Sequence, residues 1–334
     1  MSGDEEISLA SLEEERTAAS LARTLRISIT DRCNLRCRYC MPAEGVPKLA
    51  HGELLSLEGL SEAARTLCRH LAIDRIKLTG GEPLVRRGLS TLVAELAAIP
   101  GILEVSMTTN GTLLRGLAGE LRRNGLRRVN VSLDSLDPVG FAEITGGGSL
   151  VEALDGITAA QEADLRPVKL NAVLRRSAWR RDVPELLHFA AMHGLEIRFI
   201  ELMRTGTEHR WCEAEYVAAT EVERWIGERG EVIPVVPQQR GPARLSLVRW
   251  GGAEVRVGWI TPLSRPFCSR CDRLRMDCRG RVFRCLIDAE SLPFADLLRT
   301  TGEATAVGAL TDYLNGKTAP AAMYRPSSMA SIGG

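Results

Sequence analysis

Between residues 25 and 202, short apolar or alternating stretches that are typical of strands alternate regularly with stretches of helical periodicity. The strand candidates are LRISIT (25–30), DRIKLTG (74–80), LEVSMTTN (103–110), RRVNVSLD (127–134), VKLNAVL (168–174) and LEIRFIEL (195–202). The helical patterns cover 56–71, 88–99, 113–124, 149–163, 182–193 and a stretch near 213–228. This order predicts βα units and a parallel sheet, which right-handed crossovers curl into a closed or partial barrel.

The pattern changes near residue 232. Pro234, Pro237 and Pro242 interrupt it, and two short strand-like stretches follow, RLSLVRW (244–250) and AEVRVGWI (253–260). A helical pattern near 303–314 precedes a segment that ends in Gly-Gly. We therefore divide the chain into four parts, which are an acidic flexible extension (1–21), an α/β barrel (22–231), a smaller C-terminal domain (232–314) and a tail (315–334).

The composition is that of a globular protein without a strong overall charge. Of 334 residues, 45% are hydrophobic and 25% are charged, and the formal net charge is +1. This balance gives no overall field for a nucleic acid or a membrane surface, and no apolar run is long enough to span a bilayer. The acidic N-terminus lacks the basic and apolar regions of a signal peptide. We expect a cytoplasmic protein whose nine cysteines bind metal or do chemistry rather than form disulfides.

Three cysteines fall within eight positions of the segment DRCNLRCRYC (31–40), with the spacing C-x3-C-x2-C. We call Cys33, Cys37 and Cys40 the first cysteine group. A structural zinc site takes four ligands, and the nearest histidine, His51, lies eleven residues beyond Cys40, which is not a usual zinc spacing. A four-iron cluster takes one ligand per iron, so three thiolates would leave one iron open to a small molecule. The spacing favours the iron–sulfur cluster.

Further motifs follow the other predicted strands. GGEP (80–83) follows the second strand, TTNG (108–111) ends the third, SLDS (132–135) closes the fourth and RFIELM (198–203) runs through the sixth. In parallel βα architectures, the carboxyl ends of the strands form the active face. Glycine at positions 80 and 81 suits a place where backbone comes close to a ligand. The sequence therefore predicts one active face that includes the first cysteine group.

A second concentration of cysteines contains Cys268, Cys271, Cys278 and Cys285. The stretches RLRMD and RVFRC flank CRG, which predicts a hairpin with its turn at Arg279-Gly280. Folding there brings Cys271 and Cys285 together and leaves Cys278 at the tip, roughly 20 Å away. We call Cys268, Cys271 and Cys285 the second cysteine group, and we expect it to hold a second cluster with an open iron. Zinc would need another ligand, and no histidine follows His209.

Basic residues accompany the second cysteine group. Residues 265–284 contain seven arginines and two aspartates, a formal charge of +5. Arg273 and Arg275 share one strand face with Cys271, so both guanidinium groups point to the cluster side, where they suit a phosphate. Lys169 lies in an apolar strand and needs a partner, either a bound triphosphate or solvent. Arg198 is a similar case that we interpret as structural, and Cys68 and Cys212 are expected to be small buried residues.

These motifs resemble those of a known enzyme family. The first cysteine group with an aromatic before its last cysteine, together with GGEP, resembles the radical S-adenosylmethionine (SAM) superfamily. Over nearly the whole chain, from about residue 22, the sequence is similar to the GTP 3′,8-cyclase family of molybdenum cofactor biosynthesis. The motifs that carry this second resemblance are LRISITDRCNLRCRYCMP, LTGGEPLVR, TTNG, VNVSLDS, VKLNAV, RFIELM, CSRCDRLR with Cys285 thirteen residues on, and the terminal GG.

The resemblance implies roles for individual residues. The first cysteine group would hold the [4Fe-4S] cluster that binds SAM, and the second group another [4Fe-4S] cluster whose open iron meets the guanine base. Four residues would line the SAM site: Tyr39, Gly81, Ser132 and Met203. Six would contact GTP: Arg26, Lys77, Thr108, Lys169, Arg273 and Arg275. Those implied at the catalytic centre are Arg26, Arg273, Arg275, Gly333 and Gly334. Lys77 stands where the family usually has arginine, and it lacks that residue's planar fork.

The resemblance also implies a reaction and its partners. The family is a class of lyases in which a 5′-deoxyadenosyl radical takes hydrogen from C3′ of the GTP ribose, and the carbon radical attacks C8 of guanine. The product, (8S)-3′,8-cyclo-7,8-dihydroguanosine 5′-triphosphate, passes to cyclic pyranopterin monophosphate synthase (MoaC). The reaction needs an external electron donor. The resemblance leaves open whether the protein forms a homodimer.

Two other readings stay open at this point. One is a different radical SAM enzyme with an auxiliary cluster, such as a peptide-modifying maturase, which would need a peptide groove in place of a triphosphate site. The other is an iron- or zinc-binding regulatory protein with four-ligand sites. The metal content separates this last reading from the enzymes, since two clusters contain about eight irons and a zinc protein one or two zincs.

Overall fold

The computed structural model describes residues 23–42, 44–45, 47–203, 208–236, 241–268, 271–288 and 290–315. The strands of this part of the chain are β1 (Thr24–Ser28), β2 (Arg75–Thr79), β3 (Glu104–Thr109), β4 (Leu126–Ser132), β5 (Lys169–Leu174), β6 (Glu196–Glu201), β7 (Glu231–Val235), β8 (Arg244–Trp250), β9 (Ala253–Ile260), β10 (Arg273–Met276) and β11 (Val282–Phe283).

The helices lie mostly between the parallel strands. They are α1 (Leu57–His70), α2 (Leu89–Ala97), α3 (Ala118–Arg123), α4 (Pro138–Thr145), α5 (Leu150–Glu162), α6 (Trp179–Met192), α7 (His209–Glu215), α8 (Ala219–Gly227), α9 (Phe294–Thr301) and α10 (Glu303–Asn315). Two short 3₁₀ turns cover His51–Glu53 and Pro83–Val85.

All these strands form one sheet, in the order β11-β10-β1-β2-β3-β4-β5-β6-β9-β8-β7. Strands β1 to β6 pair in parallel and in chain order, which confirms the six strands and the parallel sheet predicted from the sequence. The later strands extend this sheet at both ends, since β10 pairs in parallel with β1 and β9 in parallel with β6.

The sheet is curved into a partial barrel with a lumen. Arg26 on β1 and Arg198 on β6 are five strand spacings apart, about 24 Å in a flat sheet. Their charges nevertheless interact, and the positive charge of Arg198 contributes to lowering the pKa of Arg26. The curvature therefore brings side chains from distant strands together inside the barrel. The smaller C-terminal segment adds strands at both edges of the β1–β6 sheet, and β7 crosses the predicted boundary near residue 232. The division into four parts stays a prediction, and the residues of the N-terminal extension and the tail lie outside the described part of the chain.

Side-chain caps mark the starts of three helices, α1, α4 and α5. The side chain of Ser56, predicted to cap α1, accepts a hydrogen bond from the Gly59 amide at 3.1 Å. Ser149 caps α5 in the same way through the Glu152 amide. The sequence reading missed α4, although Asp137 caps it and Pro138 follows at the first helical position. The single helix predicted near 213–228 is wrong, since α7 and α8 are separate helices.

The barrel wall separates an apolar layer from a polar lumen. Alternate residues of each strand point to opposite faces. Leu25, Ile27, Ile76 and Leu78 are fully buried against the helices, whereas Arg26 lies between Leu25 and Ile27 on the opposite face. Cys68 and Cys212 are buried, as the sequence predicts. The described residues contain no helix that is long and apolar enough to cross a membrane.

One prediction concerns the packing of α5 on the turn after β3. A Cβ atom at Gly156 would lie 2.1 Å from the backbone oxygen of Gly111, whereas a Cβ atom at Gly308 in α10 would meet nothing within 4 Å. We expect Gly156→Ala to destabilise the protein by about 1–3 kcal/mol through overpacking. The matched control Gly308→Ala should stabilise it by about 0.4–1 kcal/mol. Urea unfolding of the two variants measures both values, and equal unfolding midpoints would contradict the close packing.

Candidate active site at the carboxyl ends of the strands

The first cysteine group lies on the loop that follows β1, where its three thiols affect one another. Burial raises the pKa of Cys37 well above its ordinary value, and the charges of Cys40, Asp134 and Cys33 raise it further. Burial also raises the pKa of the Cys33 thiol. The thiols thus lie side by side in a shielded place, as ligands of one cluster must.

Backbone hydrogen bonds fix this loop against α4. The amides of Arg36 and Arg38 donate to the carbonyl oxygens of Thr145 and Ile144, at 2.9 and 3.0 Å. The Leu35 amide donates to Sγ of Cys33 at 3.4 Å. The helix that the sequence reading missed therefore supports the cysteine loop.

The GGEP turn lies directly on the cysteine loop. The Gly81 amide donates to the Thr30 carbonyl oxygen and the Glu82 amide to that of Arg32, both at 2.8 Å. A Cβ atom at Gly81 would lie 2.3 Å from the Arg32 oxygen and 3.0 Å from the Cys33 nitrogen. The sequence reading explained this glycine by the approach of a ligand. The contact that requires it in the structure is with the backbone that carries Cys33.

Glu82 connects the GGEP turn to the TTNG turn, and sequence reasoning did not single it out. Its buried carboxylate accepts from the Thr109 hydroxyl and the Asn110 amide, each at 2.7 Å, and from the Leu84 amide at 3.0 Å. Burial raises the pKa of Glu82 to about 7, against the effect of these hydrogen bonds. The Asn110 side chain also donates to Asn34 within the cysteine loop, at 2.9 Å. In the sequence, the glutamate within the GGEP motif was the signal that could have pointed to this role.

Basic side chains from both edges and the middle of the sheet meet in the lumen. In the strand register, Arg275 on β10 lies beside Arg26 on β1, and Arg26 lies beside Lys77 on β2. Burial lowers the pKa of Lys77 well below its ordinary value, and nearby arginines, Arg128 first, lower it further. Burial, followed by the charge of Arg273, lowers the pKa of Arg26 to about 9. This concentration of like charge is typical of a site for a polyanion.

Two carboxylates offset part of this charge. Glu104 accepts two hydrogen bonds from Arg128, at 2.8 and 2.7 Å. Glu196 forms a short ion pair with Lys169. The sequence reading offered a triphosphate or solvent as the partner of Lys169 and missed Glu196, because the two side chains meet only when β5 and β6 pair in register.

Arg198 is a lumen residue that sequence reasoning set aside as structural. It is half-buried, and burial lowers its pKa to about 10, with a further contribution from Arg128. Its Nε atom has no hydrogen-bond partner within the described part of the chain. The signal in the sequence was the same as for Lys169, a charge within an apolar strand.

The hairpin that carries the second cysteine group forms as predicted. Arg275 of β10 pairs with Phe283 of β11, and Gly280 has a φ of 76° in the turn. Cys271 and Cys285 both lie near Arg275. Burial lowers the pKa of this guanidinium well below its ordinary value, and the negative charges of the two thiolates raise it. The Cys271 amide donates to the Cys268 carbonyl oxygen at 3.1 Å. Cys268 is exposed.

Cys278 lies apart from these thiols, at the turn. Burial raises the pKa of Cys278 to about 12, and Asp277 and Asp31 raise it further.

Within the described residues, no three or more His, Cys, Asp or Glu side chains converge on a single metal ion. A four-iron cluster takes one thiolate per iron and needs no such convergence. The grouped thiols of Cys33, Cys37 and Cys40 therefore fit a cluster.

The remaining predicted residues do not all lie at the carboxyl ends of the strands, since Arg273 is the first residue of β10, as Lys169 is of β5. Thr108 is near the end of β3, Ser132 ends β4 and Met203 follows β6, and all three are half-buried. The Arg273 guanidinium lies 5.1 Å from the ring centre of Phe267, next to Cys268. Gly333 and Gly334 lie outside the described residues.

Comparisons with known proteins agree with this architecture. Residues 27–190 match the Radical SAM superfamily, and residues 195–321 match the family described as Molybdenum Cofactor Synthesis C. Streptococcus suis SuiB bound to S-adenosylmethionine has a similar fold, with a TM-score of 0.61, 14% identity and coverage of 88% of this chain and 68% of that chain. The fold and the cysteine loop define a radical SAM protein.

Sequence relatives identify the family more narrowly. GTP 3′,8-cyclase of Pelotomaculum thermopropionicum is 44% identical over 288 residues, 86% of this chain and 88% of the relative. That of Moorella thermoacetica is 45% identical with the same coverage, and that of Geobacter sulfurreducens is 40% identical over 93% of this chain and 96% of the relative. The chain belongs to the GTP 3′,8-cyclase family.

The contact between GGEP and the cysteine loop leads to a prediction. Gly81→Ala should displace the backbone of Arg32 and Cys33, so the first cysteine group should lose most of its iron. The measurement is iron content and the electron paramagnetic resonance (EPR) signal after anaerobic reconstitution, with the second cysteine group replaced by alanine. Gly52→Ala is the control, since a Cβ atom there meets nothing within 4 Å. Full iron content in Gly81→Ala would contradict the contact.

Proposed function

We propose that this protein is the lyase that converts GTP to (8S)-3′,8-cyclo-7,8-dihydroguanosine 5′-triphosphate, the first step of molybdenum cofactor biosynthesis. Membership of the GTP 3′,8-cyclase family supports the reaction. The observation that carries the substrate assignment is the group of lumen cations, of which Arg275 is buried and Arg26, Lys77 and Arg198 are half-buried. Such charges are costly to withdraw from water unless anions of the protein or of a ligand lie among them.

The first cysteine group would hold a [4Fe-4S] cluster with SAM on its open iron. When bound, this pair supplies the 5′-deoxyadenosyl radical that removes hydrogen from C3′ of the ribose. The residues that would bind and orient SAM are Tyr39, Gly81, Ser132 and Met203. They come from the cysteine loop and from the ends of β2, β4 and β6, so they surround the cluster side of the lumen.

The GTP site would extend from this cluster towards β10. Its residues would be Arg26, Lys77, Thr108, Lys169, Arg273 and Arg275, to which we add Arg198. Guanidinium groups can each bond two phosphate oxygens, whereas Lys77 and Lys169 act as point charges. Arg26, Arg273 and Arg275 would hold the triphosphate and thereby orient the ribose for hydrogen removal. A closed lumen excludes water from the reacting carbon.

The second cysteine group would hold another [4Fe-4S] cluster, whose open iron would meet the guanine base. Arg275 supports this arrangement, because it lies near Arg26 on one side and near Cys271 and Cys285 on the other. A base bound at this group would leave the triphosphate among the cations of the lumen. Gly333 and Gly334 in the tail would complete the catalytic centre.

The partners follow from the reaction. An external donor would reduce the first cluster, and cyclic pyranopterin monophosphate synthase (MoaC) would receive the product. The enzyme would act in the cytoplasm, and a homodimer is compatible with this proposal.

The reaction can be tested without oxygen. Protein reconstituted with iron and sulfide, then supplied with reductant, SAM and GTP, should form 5′-deoxyadenosine together with a cyclised isomer of GTP, which mass spectrometry detects. Cys285→Ala should abolish the cyclised product and leave the first cluster intact. Cys278→Ala, in the same hairpin, should retain the product. Equal 5′-deoxyadenosine with and without GTP, and no cyclised nucleotide, would reject GTP as substrate and point to a peptide-modifying enzyme.

The lowered pKa values of the lumen cations predict proton uptake when GTP binds. The pKa of Lys169 is lowered to about 8 by burial and by Arg198, so close to half of this group is neutral at pH 8. A bound triphosphate raises this pKa, so binding at pH 8 should take up about half a proton at Lys169. Affinity should fall as pH rises above 8.

Calorimetric titration of GTP in two buffers with different ionisation enthalpies measures this uptake. Lys169→Arg should remove the contribution of Lys169, because a guanidinium stays charged throughout this range. The same proton uptake in both proteins would contradict the role of Lys169.

A further inference from the structure

Asp134 is a buried carboxylate in the SLDS motif that the proposed mechanism leaves without a role. It is 4% exposed and follows the end of β4. Its Oδ2 atom accepts a hydrogen bond from the Tyr39 hydroxyl at 2.7 Å. Its Oδ1 atom accepts one from the Val173 amide at 2.8 Å. Asp134 thus connects the cysteine loop to both β4 and β5.

A buried ion pair lies close to this carboxylate. Arg175 donates to Asp182 at 3.2 Å, and both side chains are at most 10% exposed. Asp182 in turn accepts from the Ser135 hydroxyl at 2.8 Å, next to Asp134 in the chain. Burial raises the pKa of Asp134, whereas its two hydrogen bonds and the charge of Arg175 lower it. Burial outweighs these contributions, so hydrogen bonds rather than a favourable electrostatic environment hold the carboxylate in place.

Tyr39 is the residue between Cys37 and Cys40 that this carboxylate holds. Burial raises the pKa of Tyr39 well above its ordinary value, and the charge of Asp134 raises it further. The Tyr39 hydroxyl is the donor in this contact with Asp134. Since the side chain of Tyr39 adjoins Cys40 in the chain, fixing the phenol also restricts the last cysteine of the loop.

Other contacts hold the rest of the loop, among them the side-chain hydrogen bond from Asn110 to Asn34. Backbone bonds to α4 hold Arg36 and Arg38, and the GGEP turn holds the segment at Cys33. The contact between Tyr39 and Asp134 holds the Cys40 end through a side chain. Replacing Tyr39 by phenylalanine removes this hydrogen bond, because phenylalanine keeps the ring and lacks only the hydroxyl.

We propose that Asp134 is a positioning residue that acts through Tyr39 to hold the aromatic ring and the Cys40 end of the loop in the conformation that binds SAM. This inference rests on the proposed role of Tyr39 in the SAM site. Partners that orient the ligands of a metal site commonly change affinity or activity by 10–100-fold when they are lost. Asp134 should therefore affect SAM binding although it need not touch SAM.

The test compares SAM binding in the full-length reconstituted protein and its variants. The variants are Tyr39→Phe, Asp134→Ala, the double variant, Asp134→Asn and Asp137→Asn. The readouts are the dissociation constant of SAM and the change in the EPR spectrum of the reduced first cluster when SAM is added. Iron content and the midpoint of thermal unfolding accompany each sample.

We expect Tyr39→Phe and Asp134→Ala each to weaken SAM binding by about tenfold. The double variant should bind no more weakly than either single variant, because both changes remove the same contact. Asp134→Asn keeps an oxygen acceptor and should recover most of the affinity. Asp137→Asn is the matched control two residues beyond the SLDS motif, since its half-buried carboxylate caps α4 through the Gly140 amide, and its SAM affinity should be unchanged.

Two results would overturn the inference. The first is SAM binding and an EPR change in Tyr39→Phe that equal those of the unaltered protein. The second is a double variant whose loss equals the product of the two single losses, since Asp134 would then act independently of Tyr39. If Asp134→Ala does not fold, Tyr39→Phe and Asp134→Asn still decide between these outcomes. A protein that binds SAM as expected but forms no cyclised GTP would reject the proposed function and leave this inference standing.

Discussion

The close contact between the GGEP turn and the cysteine loop is the constraint on which the rest of the site depends. Gly81 brings the backbone after β2 onto Arg32 and Cys33, and no side chain fits between them. Glu82 then ties this turn to the end of β3 through Thr109 and Asn110. Three strand ends thus share one rigid support, so the thiols are placed by backbone packing rather than by the metal alone.

In the lumen, by contrast, the charged side chains repel one another. The lumen cations lower one another's pKa, as Arg26, Lys77 and Arg198 show. This repulsion opposes folding of the empty protein. In the proposed function, a bound triphosphate would relieve this repulsion, and the partial barrel would limit the screening of these charges by water. Stability and substrate affinity would then depend on the same residues with opposite sign.

Sequence reasoning recovered the parallel strands and the hairpin, because each depends on a local pattern. It missed α4, whose short apolar pattern is weak although Asp137 and Pro138 mark its start. It also missed the partner of Lys169, since Glu196 lies on the next strand and meets it only through the pairing of β5 with β6. The roles of Glu82 and Asp134 likewise depend on contacts between distant segments.

The sequence by itself determined the alternation of strands and helices, the spacing of the thiols and the side of each strand that carries charge. These features follow from periods of two and 3.6 residues and from a few capping and turn residues. Only the tertiary structure decided that β10 lies beside β1 and β9 beside β6. Pairing between strands that are far apart in the chain, such as Thr24 of β1 with Arg273 of β10, leaves no local signal, because hydrogen bonds between backbones do not depend on side-chain identity. That pairing is what places the Arg275 side chain beside Arg26 in one lumen.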